Sequence, residues 1–86
     1  MLNLVYTTVF LKEFNNLELS LQEEILEKTA LFCNKNNHKN LKVHKLHGVL
    51  KNRYSFSINY KVRIVFKYLS PNEVALLDVG DHDLYK

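Results

Sequence analysis

The sequence predicts an α+β domain in the order strand, helix, helix, strand, strand, strand, with both helices on one face of a small antiparallel sheet. Three observations carry this. Apolar residues recur every three to four positions over the N-terminal third, as on one face of a helix. From Arg53 onward they alternate with polar residues, as in strands with one buried face. Only two Gly and one Pro occur in 86 residues, which leaves little material for long irregular connections. That length supports one hydrophobic core, so residues 1–86 read as a single domain.

Taken in order, Leu2, Leu4 and Tyr6 alternate with smaller or polar residues and suit a short first strand. Thr7 or Thr8 can cap a helix whose apolar residues Phe10, Phe14 and Leu17 lie four and three apart. Ser20-Leu21-Gln22-Glu23 has the form of a capping box, in which serine and glutamate satisfy each other's free amides. It opens a second helix with Leu21, Ile25, Leu26, Ala30, Phe32 and Cys33 as a broad apolar stripe, and Cys33 reads as buried filler. Residues 34–40 are polar and connect the helices to the sheet, and Gly48 marks a turn. Tyr54, Phe56 and Ile58 face one way in the next strand, with Ser55, Ser57 and Asn59 facing the other. The following strand repeats the pattern with Val62, Ile64, Phe66 and Tyr68 inward and Lys61, Arg63, Val65 and Lys67 outward. After the turn at Ser70-Pro71-Asn72-Glu73, Val74 to Val79 forms a last strand that ends at Gly80.

The composition, 47% hydrophobic and 24% charged, is that of a globular chain and excludes a disordered one. No apolar run is long enough to span a membrane, and no secretory signal pattern is present. The single cysteine excludes a disulfide framework and a cysteine-based zinc ribbon, and it fits a reduced, cytoplasmic setting. Charge is sharply segregated. Residues 1–30 hold five Glu against two Lys, residues 31–69 hold nine Lys or Arg and no Asp or Glu, and residues 71–86 hold four acids against one Lys. A wholly basic middle third points to an anionic partner, with a lysine-rich solvated surface as the plain alternative.

The sheet face away from the helices would then carry Ser57, Lys61, Arg63 and Lys67, a cationic surface suited to a polyanion. Arg63 leads the candidates, because a guanidinium grips two phosphate oxygens at once and is always charged. His44 and His47 lie three apart without a second ligand pair, a weak metal pattern, whereas imidazole near neutral pH suits proton transfer. His82 and Tyr85 follow the last strand in Gly80-Asp81-His82-Asp83-Leu84-Tyr85, either as a site or as a solvated terminus. No glycine-rich phosphate loop, paired-carboxylate arrangement or nucleophile elbow occurs. Metal-free RNA cleavage needs only such side chains, since the 2′-hydroxyl is the nucleophile and the protein moves protons and stabilises the phosphate. DNA lacks that hydroxyl.

Together these segments resemble the RelE/ParE superfamily of bacterial toxins from type II toxin–antitoxin pairs. The resemblance runs from Thr7-Thr8-Val9-Phe10, through His44-Lys45-Leu46-His47-Gly48-Val49-Leu50-Lys51 and Tyr54 to Phe66, to the ending Gly80 to Tyr85. It implies two helices on a twisted antiparallel sheet, and in the RelE and YafQ branches an mRNA interferase that cuts the message at the ribosome without a cofactor or metal, leaving a cyclic phosphate and a 5′-hydroxyl. By that resemblance Arg63 matches the arginine at the scissile phosphate, His82 a C-terminal histidine for acid–base work, Tyr85 a terminal aromatic, and His44 the histidine of a His-x-Leu-x-Gly pattern. Lys45, Lys51, Arg53, Lys61 and Lys67 are the expected RNA contacts. The implied partners are a cognate antitoxin, the ribosome and mRNA, with no membrane. Ser55 and Ser57 depart from the family, standing where RelE-like members have lysines and YafQ-like members a histidine at the second position. Lys61 stands where the YafQ-like pattern has an aspartate. The ParE branch inhibits DNA gyrase without a nuclease site, and a non-catalytic RNA or ribosome binder is a third reading that the two serines allow.

Overall fold

A computed structural model describes residues 1–48 and 52–81. Its elements are β1 (Asn3–Tyr6), α1 (Thr8–Asn15), α2 (Leu19–Phe32), a single 3-10 turn at Lys35–Asn37, β2 (His44–Lys45), β3 (Tyr54–Ser57), β4 (Val62–Ser70) and β5 (Glu73–Asp81). The strands form one sheet in the order β1-β5-β4-β3-β2.

The expected elements are present, with two differences in the sheet. β2 through β5 pair antiparallel, but β1 runs parallel to β5, Asn3 opposite Glu73 through Tyr6 opposite Leu76. The sheet is therefore mixed rather than wholly antiparallel. The two helices intervene between β1 and the rest of the sheet, and that long crossover lets the first strand lie along the edge of the last. His44–Lys45 adds a short strand on the opposite edge, which its polar composition did not signal.

The helix starts follow the backbone amides. Thr7 caps α1, its Oγ1 accepting from the Phe10 N–H at 3.2 Å and donating to the Leu76 carbonyl at 2.7 Å. The capping box expected at Ser20 does not form, because α2 begins earlier, at Leu19, after the uncapped Glu18. Ser20 therefore falls inside the first turn, and Gln22 donates its side-chain amide to the Phe14 carbonyl at 2.9 Å.

Aromatic rings hold the layers together. Phe32 of α2 is fully buried and lies flat on Phe56 of β3 at 4.2 Å between ring centres, with its edge toward Phe66 of β4 at 4.8 Å. His38 stacks on the other side of Phe32 at 4.7 Å, and its Nε2 donates to the Phe32 carbonyl at 2.8 Å, so this histidine serves the core. The α2 stripe is narrower than the sequence suggests. Ile25, Thr29 and Phe32 are buried, whereas Leu26 is 55% exposed. Cys33 is half-buried at the end of α2, and burial pushes its thiol up, away from a reactive thiolate.

β1 reaches only as far as Leu76 along β5. Beyond it, the edge N–H of Val79 donates to the Glu13 carboxylate of α1 at 3.2 Å. Burial pushes the Glu13 carboxyl up from its ordinary 4.5, that N–H pulls it back, and the neighbouring Asp78 carboxylate adds to the rise. The fold thus holds the proton more tightly than the unfolded chain, and this site costs stability as pH rises from 4.5 through the raised value. Glu13→Gln keeps the acceptor for Val79 and is expected to raise the melting temperature at neutral pH, with the gain vanishing in acid below 4.5. A gain unchanged across that range contradicts the assignment.

The Thr29 hydroxyl is buried with no hydrogen-bond partner among the described residues. Thr29→Val keeps the shape and removes the unpaired group, so it should stabilise by about 1 kcal/mol in urea unfolding. A loss of stability would show that the hydroxyl is bonded.

Candidate nucleic-acid interface

The sheet's pleat decides which side chains leave the helical layer. On β4, Val62, Ile64 and Phe66 enter the core, and Arg63, Val65 and Lys67 point the other way. Arg63 is half-buried and sits between Ser57 of β3 and Gly80 of β5 in register. Its Nη1 donates to the Asn59 carbonyl at 2.7 Å and to the Val62 carbonyl at 3.3 Å. Gly80 offers only backbone beside it, one residue before β5 ends at Asp81.

The next row is His44, Ser55, Val65 and, in register on β5, the acidic Asp78. His44 is exposed, and its Nδ1 donates to the Lys42 carbonyl at 2.9 Å. Lys42 has a φ of +58°, an unfavourable conformation for a side chain of that kind, and this turns its carbonyl back toward the ring. Ser55 is fully buried, and its Oγ lies 3.4 Å from Nε2 of His44. A carbonyl can only accept, so Nδ1 carries the proton and the Ser55 hydroxyl donates to Nε2 when the ring is neutral. Two strand spacings and one two-residue step place the Arg63 and His44 backbones about 12 Å apart, within reach of one strand of RNA.

This face differs from the uniformly open, cationic surface expected. Ser55, Val65 and Ala75 are all buried on it, at 0%, 4% and 3% exposure. Val65 separates Arg63 from Lys67, and both cations are half-buried. Lys61 does not join the row: it is exposed in the turn before β4 and borders a groove of about 750 Å³ between that turn and α2. Glu18, Glu23, Glu24, Glu27 and Asp81 line the same groove. Negative charge thus collects on the α2 side, and Arg63 and Lys67 stand across the sheet from it. Lys45 pairs with Tyr54, one residue out of phase with the His44 row. Arg53 is half-buried, and its carbonyl accepts from Leu46 N–H at 2.8 Å. Lys51, His82 and Tyr85 lie outside the described residues. The described histidines, cysteine and acids form no group of three able to hold a metal ion.

No protein-family model matches the chain. No curated protein matches it either. Solved structures do. A conserved hypothetical protein of Helicobacter pylori superposes with a TM-score of 0.73 at 25% identity, covering 96% of this chain and 97% of that one. A chain of the RelBE2 toxin–antitoxin complex of Mycobacterium tuberculosis gives 0.73 at 14% identity, over 94% of this chain and 98% of that one. A YafQ mutant from E. coli gives 0.72 at 15% identity, over the full length of both. The chain has the RelE/ParE-like fold. In this RelE-like frame Arg63 sits on the middle strand of the sheet, the best-supported position in it, and His44 on an edge.

Residues outside the expected set also shape the site. Asn59 holds the turn that receives the Arg63 guanidinium, and Glu24 of α2 accepts from the Asn59 side-chain amide at 2.8 Å. The alternation extends the strand through Asn59, whereas β3 ends at Ser57 and Asn59 lies in the turn, where asparagine is a favoured residue. The His44 assignment is open to a direct check by nitrogen NMR above neutral pH, which should find the ring proton on Nδ1. A proton on Nε2 contradicts the Lys42 bond.

Proposed function

We propose that this chain is the toxin of a type II toxin–antitoxin pair and acts as a metal-free mRNA endoribonuclease at the ribosome, in the cytoplasm. The observation that carries the reading is Arg63, presented on the sheet face away from the helices beside Gly80, near the end of β5. Supporting it, complexes with antitoxins occur among the structures that share the fold: RelBE2, YoeB–YefM of Staphylococcus aureus and the archaeal RelE–RelB of Pyrococcus horikoshii. No helix among the described residues is long and apolar enough to cross a membrane.

In this mechanism the 2′-hydroxyl of the message attacks the adjacent phosphorus. The P–O5′ bond breaks as the new P–O2′ bond forms, giving a cyclic phosphate and a free 5′-hydroxyl. Arg63 stabilises the charge on the five-coordinate phosphate. His82 moves a proton between the hydroxyl and leaving oxygens, and Tyr85 stacks on a base. His44, with both ring nitrogens engaged, is a contact and orienting group one row from Arg63, and Lys45, Lys51, Arg53, Lys61 and Lys67 supply contacts to message or ribosomal RNA. An antitoxin neutralises the cationic face.

The buried Ser55 and the half-buried Ser57 favour a second reading, a gyrase inhibitor of the ParE kind or a binder without cleavage, because no lysine stands at either place. Inducing the protein and mapping message 5′ ends, with translation running and with it blocked, separates them. New ends only during translation, lost with Arg63→Ala through a fall of roughly a hundredfold or more in cleavage rate, support the nuclease. Intact messages with trapped gyrase–DNA complexes support the ParE-like reading.

A further inference from the structure

Arg63 does not hang free from β4. Its Nη1 is held by the Asn59 carbonyl at 2.7 Å, and Asn59 is itself held at three points. The Asn59 Oδ1 accepts from the N–H groups of Lys61 and Val62 at 2.9 and 2.8 Å, which closes the turn. Its Nδ2 donates to Glu24 Oε1 at 2.8 Å, which ties the turn to α2 across 35 residues of sequence. Each link is short and well within ordinary hydrogen-bond range. A guanidinium is planar, so fixing Nη1 in the turn fixes the roll of the whole fork. The edge formed by Nε and Nη2, which suits two oxygens of one phosphate, then has one direction rather than many.

We infer that Asn59 and Glu24 are positioning residues for Arg63, forming a latch that aims its Nε–Nη2 edge at a phosphate of the bound strand. The latch rests on the reading of Arg63 as the phosphate-binding group. Its value is entropic: a long side chain already held in its bound orientation loses less freedom when the anion arrives, an effect of about three- to tenfold in affinity for one such side chain. Glu24 also places a negative charge near the site, which alone would oppose anion binding. A bond that helps despite its charge is therefore distinguishable from a charge that hinders.

The test uses the isolated chain and an uncleavable 2′-O-methyl oligoribonucleotide, with binding and the Arg63 Nε–H signal followed by NMR. Glu24→Gln and Glu24→Ala both remove the charge, but only Gln keeps an acceptor for Asn59. The latch predicts that Ala binds about three- to tenfold more weakly than Gln, with a broadened Arg63 signal, and that Arg63→Ala binds far more weakly than either. Asn59→Ser, which keeps an acceptor for the turn amides but cannot reach Glu24, loses the latch with the Glu24 charge still in place and should bind no better than Glu24→Ala. Equal binding by the Glu24 variants, with binding still lost in Arg63→Ala, overturns the latch and spares the phosphate reading. Unchanged binding by Arg63→Ala overturns both.

Discussion

Phe32 lying flat on Phe56 is the contact from which the remaining geometry follows. It commits one face of the sheet to α2, and the two-residue period of a strand then assigns every side chain of β3 and β4 to one side or the other. Phe56, Ile64 and Phe66 enter the core, so Ser55, Ser57, Arg63 and Lys67 have to leave it. A slip of one residue in register would bury a guanidinium among aromatic rings, at a cost far above what a small domain withstands. The outward placement of Arg63 and Lys67 is thus a consequence of packing on the opposite side, with no separate device needed to create it.

Much of this is legible in the residues. The alternation of Tyr54, Phe56 and Ile58 and of Val62, Ile64 and Phe66 gives both central strands and the outward direction of Arg63. The threonine before α1 marks its start. What stays hidden depends on contacts between distant segments. Nothing local tells Asn3–Tyr6 that it will run parallel to β5, because that pairing is settled by where two helices deliver the chain. Ser20 has the form of a cap, yet α2 starts one residue before it, at Leu19. Val65 is placed outward by its period, but its burial depends on what lies over that face. The candidate site divides the same way: Arg63 and His44 are visible as residue types, whereas the Asn59 carbonyl and the left-handed Lys42 are backbone features that no pattern of side chains announces.

Charge and geometry assign different tasks to the two sides of the molecule. The α2 groove gathers carboxylates, which repel an anionic strand, and Arg63 and Lys67 stand on the other face of the sheet. At physiological salt such fields act within about 8 Å, so under the proposed function the segregation would select which face a polyanion meets but would not place a scissile bond. Placement falls to short-range features: a guanidinium fixed at one nitrogen, a glycine beside it and an imidazole one row away.

The proposed function seats the message phosphate on Arg63, on the sheet face opposite α2. The decisive measurement is a crystal structure of the chain with a message fragment carrying a single 2′-deoxy substitution at the cleavage position. The scissile phosphate is expected within hydrogen-bond distance of the Arg63 guanidinium, with Nη1 still on the Asn59 carbonyl. A strand bound elsewhere, with Arg63 touching only the turn, would overturn the proposal.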